Sequence, residues 1–168
     1  MTTSSLVQVL VQVFNDLLFY LKVEHKFMCE VPESSMNSGE PVNVLISITG
    51  DMEGNIMLGY TKKTAKEIAA KLMGVDEVKE IDIYAQAALA DFCGEFSKRV
   101  INLLKQEQSL LASDANSFGA KPKEFNLYTS FPSYVAGDDM YAMISKVPSK
   151  KLFFKINGEK FNLAYNLE

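Results

Sequence analysis

Residues 42–74 read VNVLISITGDMEGNIMLGYTKKTAKEIAAKLMG. Val44, Ile46 and Ile48 alternate with other residues, Gly50 to Gly54 supplies turn chemistry, and Ile56, Leu58 and Tyr60 carry the alternation on. A period of two places one side of each strand on a core, so the stretch predicts a β-hairpin. Thr61 or Thr64 then opens a helix, in which Thr64 and Glu67 have capping-box spacing and Gly74 stands where helices commonly terminate. A hairpin that runs straight into a helix belongs to a fold with its helices and antiparallel strands in blocks.

The flanking sequence extends that reading. Residues 4–21 predict a first helix, with Ser4 or Ser5 as N-cap and Leu6, Leu10, Phe14, Leu17 and Leu21 along one side. Pro32 to Pro41 reads as a loop. A long helix is expected from about Asp82 to about Gln108, then a loop rich in Ser, Asn, Asp, Gly and Lys from Ser113 to Lys123. FNLYTSFPSYVAG, MYAMISKV and KLFFKINGEKFNLAYNL follow, and Asn157-Gly158 between apolar runs is a strong hairpin signal. The blocks define an α+β class rather than doubly wound α/β. At 168 residues the chain has the size of one domain, which we place at residues 1–168.

Composition narrows the function classes. Hydrophobic residues are 48% and charged residues 23%, ordinary for a globular protein, which argues against disorder. A net charge of −4 and basic runs that are short argue against a nucleic-acid partner, since phosphate backbones demand clustered positive charge. Gln8, Gln12, Asn15 and Asp16 interrupt the apolar N-terminal run, so it predicts an amphipathic helix and neither a membrane span nor a signal peptide. The two cysteines, Cys29 and Cys93, fit a reduced, cytoplasmic protein.

Within the long helix, ALADFCGEFSKRVINLL (residues 88–104) carries two stripes. Leu89, Phe92, Cys93, Phe96, Val100, Leu103 and Leu104 recur at three and four and predict a core face. Asp91, Glu95, Lys98 and Asn102 form a second, wholly polar face, with Gly94 beside the glutamate where helix propensity disfavours it. Taken by spacing alone, Glu95 with Lys98 or Arg99 is also an ordinary solvated ion-pair face.

Four segments, ITGDMEGNIMLGYTKKTAKEIAAKLMG, ALADFCGEFSKRVIN, FNLYTSFPSYVAGDD and the closing strand pair, together resemble the CheX-like members of the CheC/CheX/FliY chemotaxis phosphatases. The resemblance spans roughly residues 44 to 167 and implies two long helices packed on an antiparallel sheet. It also implies a partner, a phosphorylated CheY-type response regulator bound by the long helix through Asp91, Gly94, Glu95, Lys98 and Asn102. The active pattern of this family has an acidic residue or serine, a glutamate four positions on, an asparagine three further on, and later a proline. Asp91 and Glu95 match, Pro132 and Gly137 match the later element, and Lys98 stands where the asparagine belongs.

In the family the glutamate is expected to grip a lysine of the regulator and the asparagine to orient a water in line with the aspartyl phosphate. An ammonium donates hydrogen bonds but accepts none, so Lys98 could attract a phosphate without aiming that water. The resemblance therefore implies a protein that binds the regulator, with Glu95 and Lys98 in the catalytic positions and hydrolysis compromised. Two alternatives stay open: an atypical but active acyl-phosphate phosphatase, and a non-catalytic structural or assembly domain. A homodimer is expected as well, from the family and from KLFFKI, which would leave a sticky edge on a monomer.

No cofactor is expected, for no phosphate-cradling glycine loop occurs. His25 and Cys29 lack a second histidine or a Cys-x-x-Cys, so no metal site is expected. Asp138 and Asp139 read as a turn, and the scattered methionines as core fillers and surface residues.

Overall fold

The structure is a computed structural model and describes residues 3–115, 125–137 and 147–168. Helix α1 spans Thr3–Tyr20, so Ser4 and Ser5 lie inside it rather than capping it. Leu6, Val9, Leu10, Val13, Phe14, Leu17 and Leu18 are buried along its inner side, the face that its apolar spacing predicted. Strand β1 (His25–Glu33) follows where the sequence suggested no strand, and takes in the first two residues of the expected loop. Its partner β6 lies far along the chain.

Strands β2 (Val42–Gly50) and β3 (Gly54–Tyr60) form the expected hairpin, in register from Val42 opposite Tyr60 to Ile48 opposite Gly54. Helix α2 (Lys62–Met73) starts at Thr61, whose hydroxyl accepts the Thr64 N–H at 3.1 Å. Thr61 is thus the cap; Glu67, the other half of the capping box expected at Thr64, instead accepts the Asn157 side-chain amide at 3.1 Å. Gly74 ends the helix in the left-handed conformation.

Helix α3 (Ile83–Ala115) is longer than expected, continuing into the segment read as a loop from Ser113. Asp82 begins it, its carboxylate accepting the N–H groups of Tyr84 at 3.1 Å and Ala85 at 2.9 Å. Strands β4 (Leu127–Thr129), β5 (Ser133–Ala136), β6 (Ser149–Ile156) and β7 (Glu159–Tyr165) complete the described elements. Asn157 and Gly158 close β6 onto β7 with positive φ at both positions, as the hairpin signal required. The Asp138-Asp139 pair, the stretch 140–146 and the loop residues 116–124 lie outside the described residues.

All pairings are antiparallel, in the order β1-β6-β7-β3-β2-β4, with β5 also on β2. Three helices on this sheet make an α+β fold. Phe14 of α1 joins its layers: its ring lies 6.1 Å from Phe92 and 6.0 Å from Phe96 of α3, and 4.7 Å from Phe154 and 4.5 Å from Phe161 of the sheet. KLFFKI is strand β6 and lies between β1 and β7, so it is no edge, and the exposed-edge reason for a dimer does not hold for it. Among the described residues the edge beside it is β1, blunted by a register shift between Phe27 and Cys29 and by Pro32.

β4 and β5 are one edge strand broken by a bulge. Thr129 stands opposite Ile48 and Ser133 opposite Leu45, while Ser130 exchanges two bonds with Ser47: its N–H donates to the Ser47 carbonyl at 2.9 Å, and its hydroxyl accepts the Ser47 N–H at 3.0 Å. Phe131 and Pro132 are then both left opposite Ile46, the two-against-one count of a β-bulge. A proline, lacking an N–H, is tolerated at such a position on an edge.

Candidate functional site

A helix advances about 100° per residue, so Asp91, Glu95, Lys98 and Asn102 share the side of α3 turned away from the sheet. All four are exposed, while Leu89, Phe92, Cys93, Phe96, Val100 and Leu104 on the opposite side are buried. Leu103, expected in the core stripe, is half-buried at its margin. The polar face predicted from spacing is therefore one continuous surface.

Its members are not equivalent. Glu95 accepts a bond from Arg99 Nε at 2.6 Å, an ion pair one turn along the helix, with the two side chains 47% and 46% exposed. Exposed pairs of this kind are worth only about 0.3–0.5 kcal/mol, so a competing cation displaces Arg99 cheaply. Asp91, Lys98 and Asn102 form no hydrogen bond or ion pair among the described residues. The solvated ion-pair reading is thus right for Glu95 with Arg99 and wrong for Glu95 with Lys98.

Gly94 lies on the flank toward the sheet edge. A Cβ built there would sit 3.5 Å from Pro132 Cγ, so the proline ring of the bulge is its neighbour. Within the chain its neighbour is therefore a side chain, at a distance an alanine would also accept. Pro132 and the Asp91–Glu95 segment, far apart in sequence, are brought together across this contact. Ser97, buried beneath it, donates its hydroxyl to the Gly94 carbonyl at 2.9 Å.

Sequence reasoning missed Phe131. It is 94% exposed, next to the proline that touches the polar helix. A signal for it existed, since Pro132 inside a strand-like run calls for an edge or a bulge, and bulges re-aim their side chains.

His25 Nδ1 donates to the Val23 carbonyl at 2.8 Å, and Cys29 is exposed on β1. Cys93 is buried, which pushes its thiol up to about 12, so it stays protonated and packs as an apolar group. No group of three or more His, Cys, Asp or Glu suited to a metal occurs among the described residues, and no described helix is long and apolar enough to cross a membrane.

An antiparallel sheet of this order carrying a long helix is the architecture of a known class: the chain has the CheX/CheC fold of the chemotaxis proteins. The CheC-like protein of Shewanella sp. PV-4 superposes with a TM-score of 0.75 at 16% identity, covering 100% of this chain and 99% of that one. CheX of Desulfovibrio desulfuricans gives a TM-score of 0.74 at 17% identity, over 98% and 99% of the two chains. The structure of a CheX–CheY–BeF3–Mg2+ complex from Borrelia burgdorferi matches with a TM-score of 0.63 at 16% identity, over 96% and 97%. No protein-family model and no curated protein sequence matches the chain.

Proposed function

We propose that the outer face of α3 binds the receiver domain of a phosphorylated CheY-type response regulator, and that Lys98 leaves this binding without efficient hydrolysis of the aspartyl phosphate. One observation carries the reading. In a fold whose Borrelia burgdorferi CheX member is seen in complex with CheY, the polar helix face of this chain stands exposed beside Pro132, with Glu95 held only by an exposed, easily exchanged ion pair.

Glu95 grips a cation of the regulator by exchanging Arg99 for it. Catalysis of phosphoryl transfer rests on positioning and charge stabilisation, and the water must be aimed by a group that accepts its hydrogen bond. Lys98 supplies charge alone. No cofactor of this chain enters the reading.

The test is calorimetric titration of the source organism's CheY-type receiver domains, with and without beryllofluoride and Mg2+ as phosphoryl mimic. The expected result is binding by at least one receiver, tighter with the mimic, and weakened roughly tenfold by Glu95→Ala, a loss of about 1.4 kcal/mol. If no receiver binds, the proposal is wrong. A second reading, an active phosphatase, has one observation in its favour: the Lys98 ammonium is unengaged among the described residues, open to meet a phosphate. Faster decay of radiolabelled receiver at saturating protein selects it; an unchanged decay selects binding alone.

A homodimer stays part of the proposal on the resemblance, without the β6 edge as its reason. Light scattering at about twice 18.7 kDa supports it, and a concentration-independent monomer removes it.

A further inference from the structure

Phe131 is the largest departure from ordinary burial among the described apolar residues. A phenylalanine left 94% exposed gives up the solvation benefit that its ring would gain in any apolar contact. Its setting is not that of a loop tip. Ser130 is fixed to Ser47 by two hydrogen bonds, β5 resumes at Ser133, and Pro132 is seated against Gly94, so the backbone on both sides of Phe131 is held.

The bulge sets direction as well as position. Residues opposite each other in an antiparallel pair turn their side chains to the same sheet face. Tyr128 stands opposite Thr49 and Ser130 opposite Ser47, on the face away from the helices, whereas the bulged pair stands opposite Ile46, which is buried under them. Alternation onward from Ser130 places Phe131 on the helix side of the edge, and the extra residue keeps Pro132 on that side as well, seated against Gly94, the neighbour of Glu95. An exposed ring and an exposed carboxylate are held on one rim by rigid elements.

We infer that Phe131 is an apolar anchor for the receiver domain that Glu95 engages, filling a hydrophobic depression on it while the helix face makes the polar contacts. The inference rests on the receiver-binding reading and adds a residue to it. The pairing of a central aromatic with a polar rim is how interfaces concentrate affinity, and an aromatic already fixed in place loses little freedom on binding. The occupant is a receiver rather than a second copy of this chain, because the ring is continuous, through Pro132 and Gly94, with the face proposed for the receiver.

The experiment titrates the full chain and four variants, Glu95→Ala, Phe131→Ala, Phe131→Leu and Tyr128→Ala, with the source organism's CheY-type receivers loaded with beryllofluoride and Mg2+. Phe131→Ala should weaken binding roughly 30-fold, the mark of a hot-spot aromatic. Phe131→Leu should recover most of that loss. Tyr128→Ala removes another exposed aromatic from the same edge but from the opposite face, and should leave affinity unchanged. Thermal unfolding should match the parent in all variants at these exposed positions. Unaltered affinity in Phe131→Ala, with Glu95→Ala weakened, overturns the anchor and leaves the receiver reading standing. Equal losses from Tyr128→Ala and Phe131→Ala overturn it too, as mere surface stickiness. Failure of the parent chain to bind any receiver overturns the receiver reading, and the anchor with it.

Discussion

Along one side of α3, Leu89, Phe92, Cys93, Phe96, Val100 and Leu104 are buried against α1 and the sheet; along the other, Asp91, Glu95, Lys98 and Asn102 meet water, and among the described residues only Glu95 is engaged, by Arg99. The same 33-residue helix therefore stores stability on one side and recognition on the other. Substitutions on the inner side should change how firmly the chain folds. Those on the outer side should change only what it does.

The sharpest way to break that division is Phe96→Ala. Phe96 is fully buried and packs edge-on against Phe14, with ring centres 6.0 Å apart, so truncation opens a cavity between α1 and α3. A loss of about 3–5 kcal/mol is expected from such a change, read as a lower midpoint in urea with an unchanged slope. A loss below about 1 kcal/mol would mean that this side is not the core.

How much of this contrast could be read in advance depends on what each residue packs against. The β2–β3 hairpin and α2 were legible because Val44, Ile46 and Ile48 and then Ile56, Leu58 and Tyr60 put buried apolar residues at every second position, and because Thr61 and Gly74 mark the helix ends chemically. β1 was not: it is an edge strand, its half-buried and exposed positions follow no apolar alternation, and a register shift at Met28 breaks its period. KLFFKI misled in the opposite direction. Leu152, Phe154 and Ile156 face the core while Phe153 is half-buried on the other side, a two-sided apolar pattern that belongs to an interior strand.

The site divides in the same manner. The polar face of α3 followed from helical periodicity, but the association of Pro132 with it did not, since no local pattern links residues on separate elements. The resemblance joined them, and the contact with Gly94 now gives the pairing a physical form. Phe131 escaped because an aromatic in a strand-like run reads as core until the bulge is known.

Gly94→Ala is the intermediate test. Helix propensity favours alanine by up to about 1 kcal/mol, and the added methyl would meet Pro132 at ordinary contact distance, so the variant should be more stable than the parent by several tenths of a kcal/mol or more. Receiver affinity should fall if the bare patch beside Glu95 is filled by the partner. Raised stability with unchanged affinity would show that the glycine serves neither fold nor interface.

The smallest expected change in stability, and the one that speaks most directly to chemistry, is Lys98→Asn. Lys98 is exposed and bonded to nothing among the described residues, so the fold has no contact to lose; the difference in helix propensity costs a few tenths of a kcal/mol. What changes is the chemistry offered at the surface: a carboxamide oxygen can accept a water's O–H and leave the water's lone pair facing the phosphorus, whereas an ammonium can only donate into that lone pair. With Glu95 one turn away keeping the regulator in register, the variant should speed loss of label from phosphorylated receiver where the parent does not. Glu95→Ala in the same background should remove that gain by weakening binding. A Lys98→Asn protein that binds tightly and leaves the decay rate untouched would show that aiming the water needs more than the carboxamide, and that the outer side of α3 in this chain is a surface for holding a regulator rather than for turning it off.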